Sequence, residues 1–399
     1  MSIPPVSREA GRARVAVALL FLTNGAIFAN LLPRYPAIKE ALGLSNAEFG
    51  IAVASFPLGA LVAGLAAGAL IRRFRSSRVA VAGTILTALG VLAAGLSPQW
   101  ALLAAGLFLA GAMDAITDVA QNSHGLRVQK LYRRSILNSF HAVWSIGAVL
   151  GGLMGAAAAG LGVPIGVHLG ASAALFVVVS LVAYRLALRG PEPVEAVAAA
   201  SPTAKLRSVR GARIAKYAVL AALVLIAASG AVVEDAGSTW AAIYLSGSLG
   251  AGASVAAFGF IALVGAQFVG RLVGDRLVDR FGQRAVARTG GIVAALGMGF
   301  ALLVPTIPGT ILGFAAAGLG VATLVPAAMH AADELPGLKP GSGLTIVSWL
   351  MRVGFLLSPP IVGLVADASS LRVGLIVVPL VGVVVAVLAG VLSRRMPAA

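Results

Sequence analysis

The chain has 399 residues, of which 59% are hydrophobic and only 11% are charged, whereas about a quarter of the residues in a soluble protein are charged. This composition excludes a soluble enzyme and indicates a membrane protein with several spans. The formal net charge is +16, but the basic residues form short clusters between long apolar segments, which argues against nucleic-acid binding. The chain has no cysteine, so disulfides and thiolate metal sites are excluded as well.

Apolar segments of about 20 residues, the length that crosses a ~30 Å hydrocarbon layer, recur along the chain. Twelve are predicted, which gives an all-α membrane protein of two six-helix bundles. The first is interpreted as a retained helix because it is too long for a signal-peptide core. The predicted helices span residues 15–33, 49–71, 79–97, 100–121, 136–161, 165–187, 214–245, 253–274, 285–304, 307–329, 342–366 and 371–393.

The distribution of the 30 Lys and Arg residues predicts the orientation of these helices. Twenty-six lie in segments on one side of the membrane, together with both termini. The other side has three, namely Arg34, Lys39 and Arg372, and Arg352 lies inside helix 11. Because cytoplasmic loops are enriched in basic residues, we expect a bacterial-type cytoplasmic membrane protein with both termini in the cytoplasm.

The chain is predicted to divide into two halves. Residues 190–212 are rich in Pro, Ala and Ser and then become basic, which is typical of a cytoplasmic linker between bundles at 1–189 and 213–399. An internal repeat supports this division. An offset of 207 residues aligns Leu70, Arg73, Phe74 and Gly147 with Leu277, Arg280, Phe281 and Gly354. Two such repeats favour a transporter with its substrate site between the halves near the membrane midplane.

Helix 4 carries two carboxylates in an otherwise apolar segment. Asp114, Asp118 and Asn122 are spaced four residues apart, which places them on one helix face. A carboxylate at the centre of a spanning helix costs roughly 2.5 to 3.5 kcal/mol on insertion scales, so this face indicates a polar pathway. Two carboxylates this close oppose each other's ionisation, which makes the pair a candidate proton site. The alternative is that both are hydrogen-bonding groups of helix packing.

Helix 7 contains a polar, glycine-rich interruption at residues 229–240. Its acids, Glu234 and Asp235, are adjacent and point about 100° apart around the helix. We therefore expect one of them, Glu234, to face a cavity and to join Asp114 and Asp118 as a proton-coupling candidate. Asp235 and Trp240 are candidate substrate-binding residues. The alternative is that both acids lie at the outer interface in water.

Polar residues in helices 1, 5 and 11 complete the candidate substrate site. Arg352 is the single basic residue well inside a span, so it needs a carboxylate or an anionic substrate group nearby. His141 could share a proton with Asp118 or could be a packing hydrogen bonder. The candidates for substrate binding in these helices and helix 4 are Asn24, Asn30, Asn122, His141, Trp144, Trp349 and Arg352. No metal or organic cofactor is expected. No phosphate-binding glycine loop is present, and His330, Asp333 and Glu334 after helix 10 are interpreted as a solvated cytoplasmic loop because no further His or Cys lies nearby.

The turn after helix 8, residues 275–284, resembles the signature of the major facilitator superfamily, and residues 68–75 are similar to its first-half copy. The resemblance extends over essentially the whole chain. It implies a conformational latch on the cytoplasmic side formed by Asp275, Asp279, Arg280, Arg284 and Arg73. The family pattern has Asp where this chain has Arg72 and Gly where it has Asp275, which weakens the expectation for the first-half copy.

Within that superfamily, the first 125 residues resemble the fucose-permease-like branch and its bacterial relatives. The similar residues are Gly25, Phe28, Pro33, Pro36, the loop 44–50 and the acid-x-Ala-x-Asn segment 118–122. The resemblance implies that Asp118 is the protonation site. The second acid of fucose permeases aligns with Leu32, so a sugar substrate is not implied.

The sequence thus predicts a transporter, not an enzyme, that carries a small organic solute by alternating access and is coupled to protons. It is expected to act as a monomer in a lipid bilayer without nucleic acid. The alternatives are a drug or metabolite efflux antiporter, and a lipid-handling or sensing protein without ion-coupled transport.

Overall fold

A computed structural model describes residues 8–132, 136–190, 210–336, 338 and 342–393. Within these residues, twelve helices are long and apolar enough to cross a membrane, as predicted. The predicted linker at 190–212 lies almost entirely outside the described residues. The spans are α1 Arg8–Ala41, α2 Asn46–Gly64, α3 Ser76–Gly95, α4 Trp100–Tyr132, α5 Ser139–Gly160, α6 Ile165–Leu186, α7 Lys216–Ser248, α8 Ala253–Phe281, α9 Gln283–Leu303, α10 Ile307–Asp333, α11 Ser342–Ala368 and α12 Leu371–Val391.

Several helices depart from the predicted boundaries. Helix α1 tightens into a 3₁₀ turn at Leu32–Arg34, where Pro33 cannot donate a backbone hydrogen bond. Helix α2 ends at Gly64, and a separate helix, Ala67–Phe74, extends it to the following turn. Helix α4 continues beyond its predicted end at residue 121 to Tyr132. The prediction ended the helix at the end of the apolar segment, whereas the more polar residues that follow are helical as well.

The two halves repeat the same packing. In the first half, Gly147 of α5 lies against the backbone of Leu22 in α1, where a side chain would collide with the Leu22 carbonyl oxygen. At the equivalent place in the second half, Gly354 of α11 faces Ala228 of α7. Small residues allow this close approach of helix backbones in a membrane. The offset of 207 residues therefore reflects a structural repeat.

The turns that carry the sequence repeat also share a backbone conformation. Gly282, after α8, has φ 83°, and Arg75, at the equivalent place after residues 67–74, has φ 75°. Positive φ is routine for glycine and strained for a side chain such as that of arginine. The first-half turn therefore keeps the geometry of the repeat at a cost in backbone strain.

Large apolar side chains cover the outside of the bundle. Leu65 and Leu161 are each 81% exposed, and Leu296, Phe300 and Leu303 form an exposed apolar stripe on α9. In water such a surface would be costly, whereas in a bilayer it contacts lipid tails. The apolar outer surface of the bundle is therefore suited to contact with lipid along the twelve spans.

The halves meet tightly at one end of the bundle. We call the end with Arg8 and Ser393 the terminal end and the other the far end. At the far end, α2 packs on α11, and a side chain at Gly50 would overlap the Pro359 carbonyl. Likewise, a side chain at Gly363 would overlap the carbonyl oxygen of Asn46.

A carboxylate reinforces this contact at the far end. Asp367, at the end of α11, accepts hydrogen bonds from the backbone N–H groups of Asn46 (2.9 Å) and Ala47 (2.8 Å) and from the Asn46 side-chain amide (2.8 Å). These backbone groups are the unpaired donors of the first turn of α2, which favour a negative charge. The far end is thus closed by α11 of one half bound to the beginning of α2 of the other.

We expect Gly50→Ala to open the far end, because the added methyl group would collide with the α11 backbone. The chain has no cysteine, so spin labels at Ala41→Cys and Ser369→Cys, both exposed at the far end, report the separation of the halves there. Electron paramagnetic resonance distances between these labels should lengthen in the Gly50→Ala variant.

Gly170→Ala is the matched control, since no atom lies within 4 Å of the position a methyl group would take there. The control should keep the wild-type distance distribution. A distribution in Gly50→Ala that matches the wild type would contradict this account of the closed end.

Candidate functional site

A cavity of about 270 Å³ lies between the two halves. Its walls come from α1, α2, α4 and α5 of the first half and from α7, α8 and α11 of the second. The described residues that line it include Asn24, Gly25, Phe28, Phe56, Asp114, Trp144, Glu234, Asp235, Ser238, Thr239, Phe260, Arg352 and Phe355. A pocket of this size, mostly apolar with a few polar groups, is typical of a small-molecule site.

Three polar side chains of the first half form a hydrogen-bonded chain along the cavity wall. The Trp144 indole N–H donates to Asn24 Oδ1 at 2.8 Å, and Asn24 Nδ2 donates to Asp114 Oδ1 at 2.7 Å. The chain therefore connects three helices, with Trp144 on α5, Asn24 on α1 and Asp114 on α4. All three are residues that the sequence predicted as site residues, and the structure brings them together.

Asp118 lies one turn from Asp114 toward the terminal end. Its Oδ1 accepts hydrogen bonds from Asn122 Nδ2 at 3.0 Å and from Gln121 Nε2 at 3.4 Å. It also lies within electrostatic reach of His141 on α5. His141 is exposed and stacks edge-on against Phe21, with ring centroids 5.1 Å apart. Asp118 therefore lies between the cavity and an exposed imidazole nearer the terminal end.

Arg352, on α11, is the single basic residue among the described residues that line the cavity. Its guanidinium interacts electrostatically with the carboxylates of Asp114 and Asp118, which belong to the other half. Among the described residues, however, it forms no direct ion pair or hydrogen bond. The predicted carboxylates are therefore near enough to interact electrostatically with Arg352, but they do not accept hydrogen bonds from it. Its five N–H donors remain available to a ligand.

Helix α7 contributes both of its acids to the cavity, which corrects the expectation that only Glu234 faces it. Gln267 Nε2 donates to Glu234 Oε2 at 2.9 Å, and Thr239 Oγ1 donates to Asp235 Oδ1 at 3.1 Å. The angular argument failed because the cavity covers two faces of α7: Glu234 and Ser238 line it on one face, and Asp235 and Thr239 line it on a face about 100° away. Asp235 is 8% exposed and its second oxygen, Oδ2, has no hydrogen-bond partner among the described residues.

Aromatic side chains that sequence reasoning did not select form much of the wall. Phe28 and Phe56 pack with ring centroids 4.2 Å apart, and Phe260 and Phe355 line the cavity from the second half. In a chain so rich in apolar residues, a phenylalanine that faces a cavity cannot be distinguished by pattern from one that faces lipid. Of these four phenylalanines, only Phe28 was singled out by the sequence, as one of the residues that resemble the fucose-permease-like branch.

Two predicted binding residues lie outside the cavity because they pack elsewhere. Asn30 is buried in the first half, where its Oδ1 contacts His168 Nε2 at 2.9 Å and accepts a hydrogen bond from Ser172 at 3.0 Å. Trp240 is fully buried at the closed interface, edge-on to Phe49 at 6.0 Å. Both are better explained as packing residues than as ligands of a solute.

Three further candidates also lie off the cavity wall. Asn122 donates to the backbone and side chain of Asp118, so it acts through that carboxylate. His141 and Trp349 are exposed, the latter by 51%, and lie nearer the terminal end than the cavity does. Neither side chain belongs to the cavity wall.

Within the part of the chain that the structure describes, the residues of the predicted latch form no ion pair with one another. Asp275 and Asp279 are exposed and make no ion pair or hydrogen bond with a residue that the structure describes. Arg73 is exposed, and Arg280 lies over the Phe281 ring, 5.3 Å from its centroid. Arg284 instead donates to the Leu392 carbonyl at 3.0 Å and holds the end of α12. Among the described residues, the terminal end therefore shows no latch contact of the kind predicted, in contrast to the closed far end.

Two repeated six-helix halves around a central cavity define a polytopic membrane transport protein. The sequence profile of the Major Facilitator Superfamily matches residues 17–277 and 236–399. The chain belongs to this superfamily.

Relatives and solved structures agree with this assignment. The chain is 32% identical over 382 residues to "Uncharacterized transporter y4wD" of Sinorhizobium fredii, which covers 95% of this chain and 97% of the relative. Its fold is similar to that of the nucleoside transporter NupG, with a TM-score of 0.72, 14% identity and coverage of 96% of this chain and 98% of that one. It is also similar to the Escherichia coli fucose:proton symporter FucP, with a TM-score of 0.61, 18% identity and coverage of 94% and 97%.

We expect the bond between Asn24 and Asp114 to stabilise the fold. Asn24→Leu leaves the half-buried Asp114 carboxylate without its donor and the Trp144 indole N–H without its acceptor, and each loss typically costs about 1–3 kcal/mol, so the purified variant should unfold at a lower temperature. Because part of the loss arises through Asp114, the same substitution should cost less in an Asp114→Leu background. Additive effects in this double-mutant cycle would show that the two residues act independently, contrary to the hydrogen-bonded chain.

Proposed function

We propose that this transporter moves a small organic solute across the cytoplasmic membrane by alternating access and that a proton gradient drives it. The coupling proton binds at the Asp114–Asp118 pair. The solute binds in the central cavity, where Asn24, Trp144, Glu234, Asp235 and Arg352 supply the polar contacts.

One observation carries the proposal of proton coupling. Asp114 of the first half and Arg352 of the second half line the same cavity, and the carboxylates of Asp114 and Asp118 both lie within electrostatic range of the Arg352 guanidinium. Protonation of this pair removes negative charge from one side of the interface between the halves. A change of charge at that place alters the relative free energies of the two arrangements of the halves, which is the requirement for coupling.

Alternating access is supported by the asymmetry between the two ends. The far end is closed by small residues and by Asp367, while the latch residues Asp275 and Asp279 at the terminal end are exposed and unpaired among the described residues. A second arrangement in which the latch closes and the far end separates would expose the same cavity to the other side. Rigid-body movement of two repeats around a fixed site accounts for both arrangements.

The central test of coupling is Asp118→Asn, which keeps the shape of the side chain and removes its titration. A panel of sugars, nucleosides, amino acids, organic acids and drugs is first screened for thermal stabilisation, and the best solute is labelled. In proteoliposomes, the variant should still bind this solute and exchange it across the membrane, but it should lose accumulation driven by a pH gradient. Asp114→Asn tests the other member of the pair.

Glu40→Gln is the matched control, because it makes the same change at an exposed carboxylate outside the cavity. It should accumulate solute as the wild type does. If Asp118→Asn and Asp114→Asn both accumulate solute with unchanged pH dependence, the proposed proton site is refuted.

The orientation follows from the basic residues. Arg72, Arg73, Arg276 and Arg280 lie at the terminal end, which we propose to be cytoplasmic. Epitope tags at either terminus should then be labelled only after the membrane is permeabilised. Labelling of either tag from outside intact cells would reverse the proposed orientation.

A further inference from the structure

The cavity offers an unused set of hydrogen-bond donors. Arg352 lines it from α11, and no described residue forms a hydrogen bond or direct ion pair with its guanidinium. A guanidinium has five N–H donors in a planar arrangement that matches a carboxylate or a similar acid group. Since an unpaired cation within a membrane span is costly, a bound ligand that supplies the missing acceptor would be favoured there.

The acids of the cavity are in a different situation. Asp114 accepts a hydrogen bond from Asn24, Glu234 from Gln267 and Asp235 from Thr239. The protein therefore already supplies a donor to each of these carboxylates, whereas no described residue supplies a direct acceptor to Arg352. Each of these carboxylates keeps a second oxygen, and Asp235 Oδ2 has no hydrogen-bond partner among the described residues. An anionic ligand is still favoured at Arg352, because it would supply the first direct acceptor to a guanidinium that has none among the described residues.

Charge balance links such an anion to protonation. The field of Asp114 and Asp118 acts on Arg352, so both carboxylates oppose an anion beside it. The imidazole of His141 on α5 faces Asp118 as well and is the other titratable group beside the pair. When the pair takes up a proton, one of its two negative charges is neutralised, so part of this repulsion is removed and the positive charge of Arg352 is less fully offset. Proton and anion therefore favour each other's binding, which is a thermodynamic coupling between the two sites.

The remainder of the wall is apolar and aromatic. The rings of Phe28 and Phe56 lie on the first-half side, and those of Phe260 and Phe355 on the second-half side. A ligand that fills about 270 Å³ against these rings needs an apolar body as well as its acidic group.

We propose that the solute is a small organic acid with an apolar body, bound through its acidic group to Arg352 and accompanied by a proton on the Asp114–Asp118 pair. This inference rests on the proposed function and names the substrate class of the same cavity. It makes Arg352 a specificity-determining residue.

The test compares three probes of similar size and different charge: benzoate, benzamide and benzylamine. Phenylacetate and 3-phenylpropionate extend the acid series to larger bodies. Binding to the full-length protein in detergent is measured by thermal stabilisation and calorimetry at mildly acidic and mildly alkaline pH. At least one acid should bind about tenfold or more tightly than the amide and the amine, as a charged hydrogen-bonded pair implies. Its binding should weaken at alkaline pH.

The variants separate charge from shape. Arg352→Gln should weaken binding of the acid by about tenfold or more, while Arg352→Lys should retain part of it because the positive charge remains. Arg185→Gln is the control, since Arg185 is exposed at the end of α6 and does not line the cavity. It should bind the acids as the wild type does.

Three results would overturn the proposal: tighter binding of benzylamine or benzamide, no binding of any acid in the series, or binding of the acids that Arg352→Gln leaves unchanged. These outcomes are distinct from failure of the proposed function. Proton-driven accumulation of a neutral solute would refute the substrate class and keep the coupling. Binding of the acids that depends on Arg352 but not on pH would keep the anion site and refute the coupling.

Discussion

The interaction between Arg352 of one half and the carboxylates of Asp114 and Asp118 of the other is the constraint on which the account depends. In a membrane interior, charges that do not offset one another are costly, so each of these groups limits the state that the others can adopt. The interaction crosses the interface between two halves that must move for transport. Proton binding, solute binding and the arrangement of the halves therefore act on the same charges.

The packing of the far end gives this interaction its mechanical consequence. Glycines at positions 50 and 363 let the backbones of α2 and α11 approach closely, and Asp367 binds the first turn of α2. Contacts of this kind form completely or are lost together, because close-packed backbones cannot separate by small degrees without losing their fit. A change in charge at the cavity can thus shift the molecule between two discrete arrangements.

The sequence predicted the elements that follow from simple physical rules. The number of helices followed from the length of the apolar segments, and the structural repeat followed from equivalent residues such as Gly147 and Gly354. The cost of charge in a membrane identified the acids of α4 and Arg352 as candidate site residues. The prediction failed where the local sequence pattern does not determine in which direction a side chain points. Asn30 and Trp240 are of residue types that often bind solutes, but both pack against other parts of the protein and not against the cavity. Nor could the pattern show that the cavity covers two faces of α7 and reaches both of its acids.

The most direct test of the central claim is the number of protons taken up when the solute binds. Calorimetric titration of the purified protein in buffers of different ionisation enthalpy measures this number without any transport assay. At a pH at which the unliganded pair is ionised, we expect uptake of about one proton by the wild type, since one charge of the carboxylate pair is neutralised, and a markedly smaller uptake by Asp118→Asn. At that pH, binding without proton uptake in the wild type, or equal uptake in the two proteins, would contradict the proposed coupling.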